Sequence, residues 1–181
     1  MENIQVLTKT NHIKKAQEKE DIMLNKERQE EVVELCQHLI QKQSYSGHED
    51  GVAGVLEEQL KKKGFDSVTV DKYGNVIGCI KGNRPGKKIL FDGHIDTVPV
   101  TDETEWQYPP FAAEIHDGKI YGRGTSDMKG AVAGFVTAAA AFAEDTKKDF
   151  AGEIYVAGVV HEECFEGVAA REISSFVKPD Y

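Results

Sequence analysis

Cysteine, tryptophan and basic charge are all scarce in this 181-residue chain. Its three cysteines, Cys36, Cys79 and Cys164, lie far apart and form no CxxC pair. That excludes a disulfide framework and points to a reducing, cytoplasmic compartment. Lys plus Arg number 22 against 31 Asp plus Glu, a net charge of −9. A nucleic-acid surface needs a basic patch to neutralise phosphates, so no nucleic-acid partner is expected. Long hydrophobic runs are also missing. The longest, Ala131 to Ala143, has 13 residues and is interrupted by Gly134 and Thr137. It is too short to span a bilayer. Met1 to Asn25 is polar and holds no apolar stretch of the signal-peptide kind, so no membrane partner is expected. What remains is 40% hydrophobic and 29% charged, ordinary for one soluble domain with a core.

The pattern of the chain predicts an α/β protein. Residues 11–42 carry apolar positions Val32, Leu35, Cys36 and Leu39 at helical spacing, with the first part solvated. A second helix spans about 49–63, begun near Ser46 or Gly47 and ended by Lys61-Lys62-Lys63 and Gly64; lysines then glycine are a stop signal. Residues 67–72 alternate as a strand, Tyr73-Gly74-Asn75 turns, and 76–80 pairs back. Residues 88–93 read as a buried strand. Residues 101–124 hold little regular structure apart from a small hairpin around Asp117-Gly118. A small-residue helix over about 128–144, a buried strand over 152–160 and a short helix near 166–176 follow. Alternating helices and strands predict a three-layer mixed sheet with helices on both faces.

Three polar clusters sit at the ends of these segments. His94 and Asp96, at i and i+2, follow the strand at 88–93. Asp127 follows a glycine-rich turn, and Glu162 and Glu163 follow the strand at 152–160. Open α/β sheets place their sites at the carboxyl ends of strands. An imidazole and several carboxylates drawn from separate elements suit a metal hydrolase, with one carboxylate left to move protons. Glu162 and Glu163 in extended geometry point opposite ways, so one could bind metal while the other faces substrate. Taken singly, a His-x-Asp pair is an ordinary surface hydrogen bond and a Glu-Glu pair an ordinary solvated one. A nucleotide-binding domain is disfavoured, because Gly122-Arg123-Gly124 lacks both the Gly-Lys-Ser/Thr ending and a third glycine.

Gly-His-Ile-Asp-Thr-Val-Pro from Gly93, Tyr-Gly-Arg-Gly-Thr-Ser-Asp-Met-Lys-Gly from Tyr121 and Val-Val-His-Glu-Glu from Val159 resemble, in order, the signatures of a known family. It is the co-catalytic zinc metallopeptidases and deacylases, which include acetylornithine deacetylase, succinyl-diaminopimelate desuccinylase, aminoacylase and the glutamate carboxypeptidases. The likeness covers residues 28–181, with 1–27 read as a helical N-terminal extension. It implies a hydrolase that cleaves an amide bond of an N-acyl amino acid or small peptide with a water bridging two metal ions. The ions would be zinc, with cobalt or manganese as substitutes. By the same resemblance His94 is a terminal ligand of one ion, Asp127 the bridge and Glu163 a terminal ligand of the other. Asp96 orients His94, Glu162 is the general base and acid, and the Asp127–Met128 peptide is cis. The family pattern runs on past this length, to a further carboxylate, a final histidine and a lid domain that can pair the full-length protein as a homodimer. The chain therefore reads as the amino-terminal part of a catalytic domain with the lid absent. The competing reading is a truncated, inactive metal-binding or interaction domain of the same fold.

Other residues carry plainer expectations. Cys164 reads as semi-buried packing and His161 as packing behind the glutamates. His48 and His116 read as exposed turn residues. Arg123 reads as paired with a nearby acid, and Trp106 and Tyr108 as a local aromatic anchor or a cleft wall.

Overall fold

The computed structural model describes residues 25–165 and 167–181. The helical extension expected over residues 1–27 lies, as far as residue 24, outside the described residues. Helix α1 spans Lys26–Ile40, and the Asn25 side chain accepts from Arg28 N at its start. It buries Leu35, Cys36, Leu39 and Ile40 on one stripe. Helix α2, Asp50–Lys62, buries Val52, Ala53, Leu56 and Leu60. Its N-cap is Glu49 rather than Ser46 or Gly47, because Ser44 and Ser46 are spent on another loop. Gly64 closes it in the left-handed region that the lysine–glycine signal anticipates.

The next four elements build the sheet. Strands β1 (Ser67–Val70) and β2 (Val76–Lys81) form the expected hairpin, whose turn is held by Asp71 accepting from the N–H groups of Tyr73, Gly74 and Asn75. Strand β3 is Arg84–His94. A small hairpin of β4 (Glu114–His116) and β5 (Lys119–Tyr121) stands apart, turned at Asp117-Gly118 with positive φ at both. Helix α3, Gly130–Thr146, crosses over to β6, Ala151–Val159. The sheet order is β1-β2-β6-β3, with β6 antiparallel to β2 and parallel to β3. A helical turn α4 (Glu162–Phe165) and helix α5 (Val168–Val177) follow.

Register decides which helix covers which face. Gly78 stands opposite Val156, and a Cβ on Gly78 would come within 2.8 Å of Phe65 beside α2. A Cβ on Gly93 would meet Met128, Val132 and Phe135, and one on Gly158 would meet Leu56 and Ile95. Thus α2 and α3 pack on one face. Helix α5 packs on the other through Ala169, Ile173 and Val177, with Lys88 Nζ donating to Val177 O. Strands β2 and β6 are buried accordingly, the three-layer arrangement that alternation predicts.

Strand β3 departs from expectation. It is an edge strand, and Phe91 is 43% exposed although its ring stacks on Phe135. An apolar run alone does not distinguish a central strand from an edge strand with one covered face. Leu90 N donates to Tyr181 O and Tyr181 N to Lys88 O, so the last residue sits along this edge. The glycines at the carboxyl ends of β3 and β6 leave no room for a side chain. Gly158→Val is expected to push Ile95 and Leu56 apart and to destabilise the fold by about 2 kcal/mol. A lower urea midpoint at unchanged slope is the readout.

Candidate metal centre

At the carboxyl ends of the parallel pair, His94 stands level with Val159. Ile95 N donates to Val159 O, which carries the following residues inward. His94 is 6% exposed, and Asp96 is wholly buried. A buried carboxylate is tolerated only with partners, and here they come from three segments. Ser46 Oγ donates to Oδ2 at 2.6 Å, and the backbone N–H groups of Glu162 and Glu163 donate at 3.2 and 3.1 Å. His94 Nδ1 lies 3.5 Å from Asp96 Oδ1, and closer, at 3.0 Å, to the Asp96 backbone oxygen. Burial on its own would raise this carboxyl. The contacts with His94, Ser46 and the two amides outweigh it and hold the group at about 2.

The outer nitrogen of His94, Nε2, lies 2.9 Å from Asp127 Oδ1. Asp96 on one side, then Asp127 on the other, overcome burial and keep the ring protonated up to about 9. Asp127 sits in a turn, Thr125–Lys129, that leads into α3; the Asp127–Met128 peptide is cis, as the resemblance implies. Gly124 opens this turn at φ 85°, and a Cβ there would meet Thr97 at 2.8 Å, so only glycine fits. Lys129 closes it. Its side chain is wholly buried, and Nζ donates to the carbonyls of Leu39 and Lys42 at 2.9 Å each, at the end of α1. Burial pushes its ammonium down to about 8, against the attraction of Cys36 and Asp96.

The glutamates arrive differently from the extended geometry expected. The strand stops at Val159, His161 takes φ 59°, and Glu162 and Glu163 begin the turn α4. Buried Glu49 makes this bend, because its Oε1 accepts from His161 N at 3.0 Å. Glu163 then turns toward His94 and Asp127, while Glu162 is exposed on the same turn. One ligand atom each from His94, Asp127 and Glu163 lies within 4.8 Å of the others. One imidazole and two carboxylates are a donor set suited to a borderline divalent cation. The Asp127 side chain, 77% exposed, leaves the cluster open on one side.

The sequence reading had no role for Lys129 or Glu49 and took Ser46 only as a helix start. A lysine entering an apolar, small-residue helix is the one signal that could have singled out Lys129. Several plainer expectations change. Cys164 is exposed, as befits a residue on the outer turn α4. His116 is a strand residue stacked on Tyr108 at 3.7 Å. Arg123 lies over the Trp106 ring at 5.1 Å instead of pairing with an acid, so these aromatics are a local anchor.

The electrostatics set a pH dependence for the metal-free protein. The lowered Asp96 group contributes stability that is complete above pH about 4 and lost as pH falls through 2. The raised His94 group contributes stability that is complete below pH 6.5 and lost as pH rises through 9. With chelator present, Asp96→Asn is expected to cost about 2 kcal/mol near pH 5.5. The gap between the two proteins in urea midpoint should narrow toward pH 2 and again toward pH 9. A pH-independent gap would show that the ion pair is not its source.

Comparison with known proteins agrees with this architecture. The profile of peptidase family M20/M25/M40 matches residues 90–179. Succinyl-diaminopimelate desuccinylase of Roseobacter denitrificans is 36% identical over 140 residues, 76% of this chain and 37% of that protein. The desuccinylase of Beijerinckia indica is 39% identical over 132 residues, 69% of this chain and 34% of its own length. Among solved structures, the M20 family metallo-carboxypeptidase Sso-CP2 from Sulfolobus solfataricus superposes with a TM-score of 0.72 at 26% identity, over 83% of this chain and 36% of that one. The chain thus spans little more than a third of the length of the relatives it matches. It belongs to peptidase family M20/M25/M40.

Proposed function

We propose that this chain carries part of the active centre of a metal-dependent amidohydrolase acting on an N-acyl amino acid or a small peptide. The observation that supports it most is the convergence of His94, Asp127 and Glu163 at the carboxyl ends of β3 and β6. In this reading His94, Asp127 and Glu163 would hold divalent ions, zinc or in its place cobalt or manganese. A bound ion supplies Lewis-acid polarisation of the scissile carbonyl and acidifies water. The chain's own residues do the rest. Asp96 fixes the direction of the His94 ring and stays ionised because four groups hold it so. Glu162, exposed beside Glu163, takes a proton from the attacking water and returns it to the leaving nitrogen. Three free thiols fit a reducing, cytoplasmic setting.

A second reading keeps the metal and drops the turnover. The exposure of Asp127 favours it. Two measurements separate the readings. Zinc uptake by the purified chain, followed by calorimetry, should weaken at least about tenfold in Asp127→Ala. Uptake near neutral pH should release about one proton, since His94 must lose its own, and affinity should rise with pH up to about 9. Chelator-sensitive hydrolysis of N-acyl amino acids should fall about 10²- to 10⁴-fold in Glu162→Gln with zinc retained. Turnover unaffected by Glu162→Gln would overturn the assignment of the base. Zinc uptake without any hydrolysis would support the second reading.

A further inference from the structure

Apart from His94 Nε2 at 2.9 Å, little holds Asp127 by its side chain. Its side chain is 77% exposed, and its own backbone (φ −131°, ψ 97°) and that of Met128 (φ −137°, ψ 30°) are non-helical. Where the carboxylate stands is therefore decided by the two ends of the turn. One end is fastened by Thr125, whose Oγ1 donates to Gly122 O and whose carbonyl accepts from Gly130 N. The other end is Lys129. Its N–H donates to Gly124 O at 2.8 Å, and its stem lies 3.2 Å from where a Gly124 Cβ would be, with Thr97 on that position's other side. Its ammonium ends on the carbonyls of Leu39 and Lys42. Leu39 O is among the last carbonyls of α1, which lack helical partners and carry the negative end of the helix dipole. A neutral side chain of equal length would fill the same space and leave both carbonyls without this donor.

We propose that Lys129 is a positioning residue for Asp127: its buried ammonium, clamped to the end of α1, fixes the turn that presents the Asp127 carboxylate to His94 and Glu163. The proposal rests on the metal-centre reading for its consequence, but its geometry can be read without metal.

The test compares Lys129→Met, Lys129→Gln and Lys129→Arg with the parent chain. Lys129→Gln keeps one donor without charge and carries the test if Lys129→Met does not fold. In metal-free protein, the His94 ring N–H resonance reports its contact with Asp127, and Asp127→Ala gives the reference for its loss. The neutral variants are expected to shift that resonance as Asp127→Ala does, and to bind zinc at least about tenfold more weakly, while amide resonances of β1 and β2 stay in place. Lys129→Arg, which keeps the charge, should recover part of both. A purely structural lysine would lower Tm and leave both readouts alone. A folded neutral variant with the parent resonance and a zinc Kd within twofold of the parent overturns the proposal. If the parent takes up no zinc yet the resonance follows Lys129, the metal reading fails and the positioning role stands.

Discussion

The buried carboxylate of Asp96 is the constraint on which the rest of this structure depends. It has no exposed surface, so its charge survives only if other parts of the chain supply donors. Those donors are a serine before α2, the imidazole at the end of β3 and two amides that open α4. Each is brought in by a different layer of the fold. Satisfying one carboxylate therefore ties together three loops. The same hydrogen bonds that lower its proton affinity also set the attitude of His94 and Glu163.

A second buried charge, Lys129, works by different partners. Among the described residues no carboxylate is bonded to Lys129; it donates to main-chain carbonyls. The two charges attract through the interior, yet neither neutralises the other directly. Such an arrangement keeps the carboxylates of Asp127 and Glu163 free of a competing ammonium.

Much of this was legible in the chain because the signals are local. The β1–β2 and β4–β5 hairpins follow from turn residues, and the end of α2 from lysines and a glycine. The three polar clusters could be placed at element ends because apolar runs stop just before them. What could not be read depends on partners distant in sequence. The bend at His161 exists because Glu49 accepts its N–H, 112 positions away. Lys129 carries no expectation in the sequence because nothing near it announces the carbonyls of α1. Strand β3 reads as buried because an edge strand with one covered face has the same composition. Cys164 looked semi-buried because the turn that exposes it depends on that same bend.

The two glutamate amides lie 66 and 67 positions from the carboxylate they serve. Their meeting waits on the parallel pairing of β3 with β6, which closes a long loop before any contact rewards it. The cluster of His94, Asp127 and Glu163 can come together only once β3 and β6 have paired. A chain still emerging from the ribosome cannot bring these three side chains together until β6 has joined the sheet.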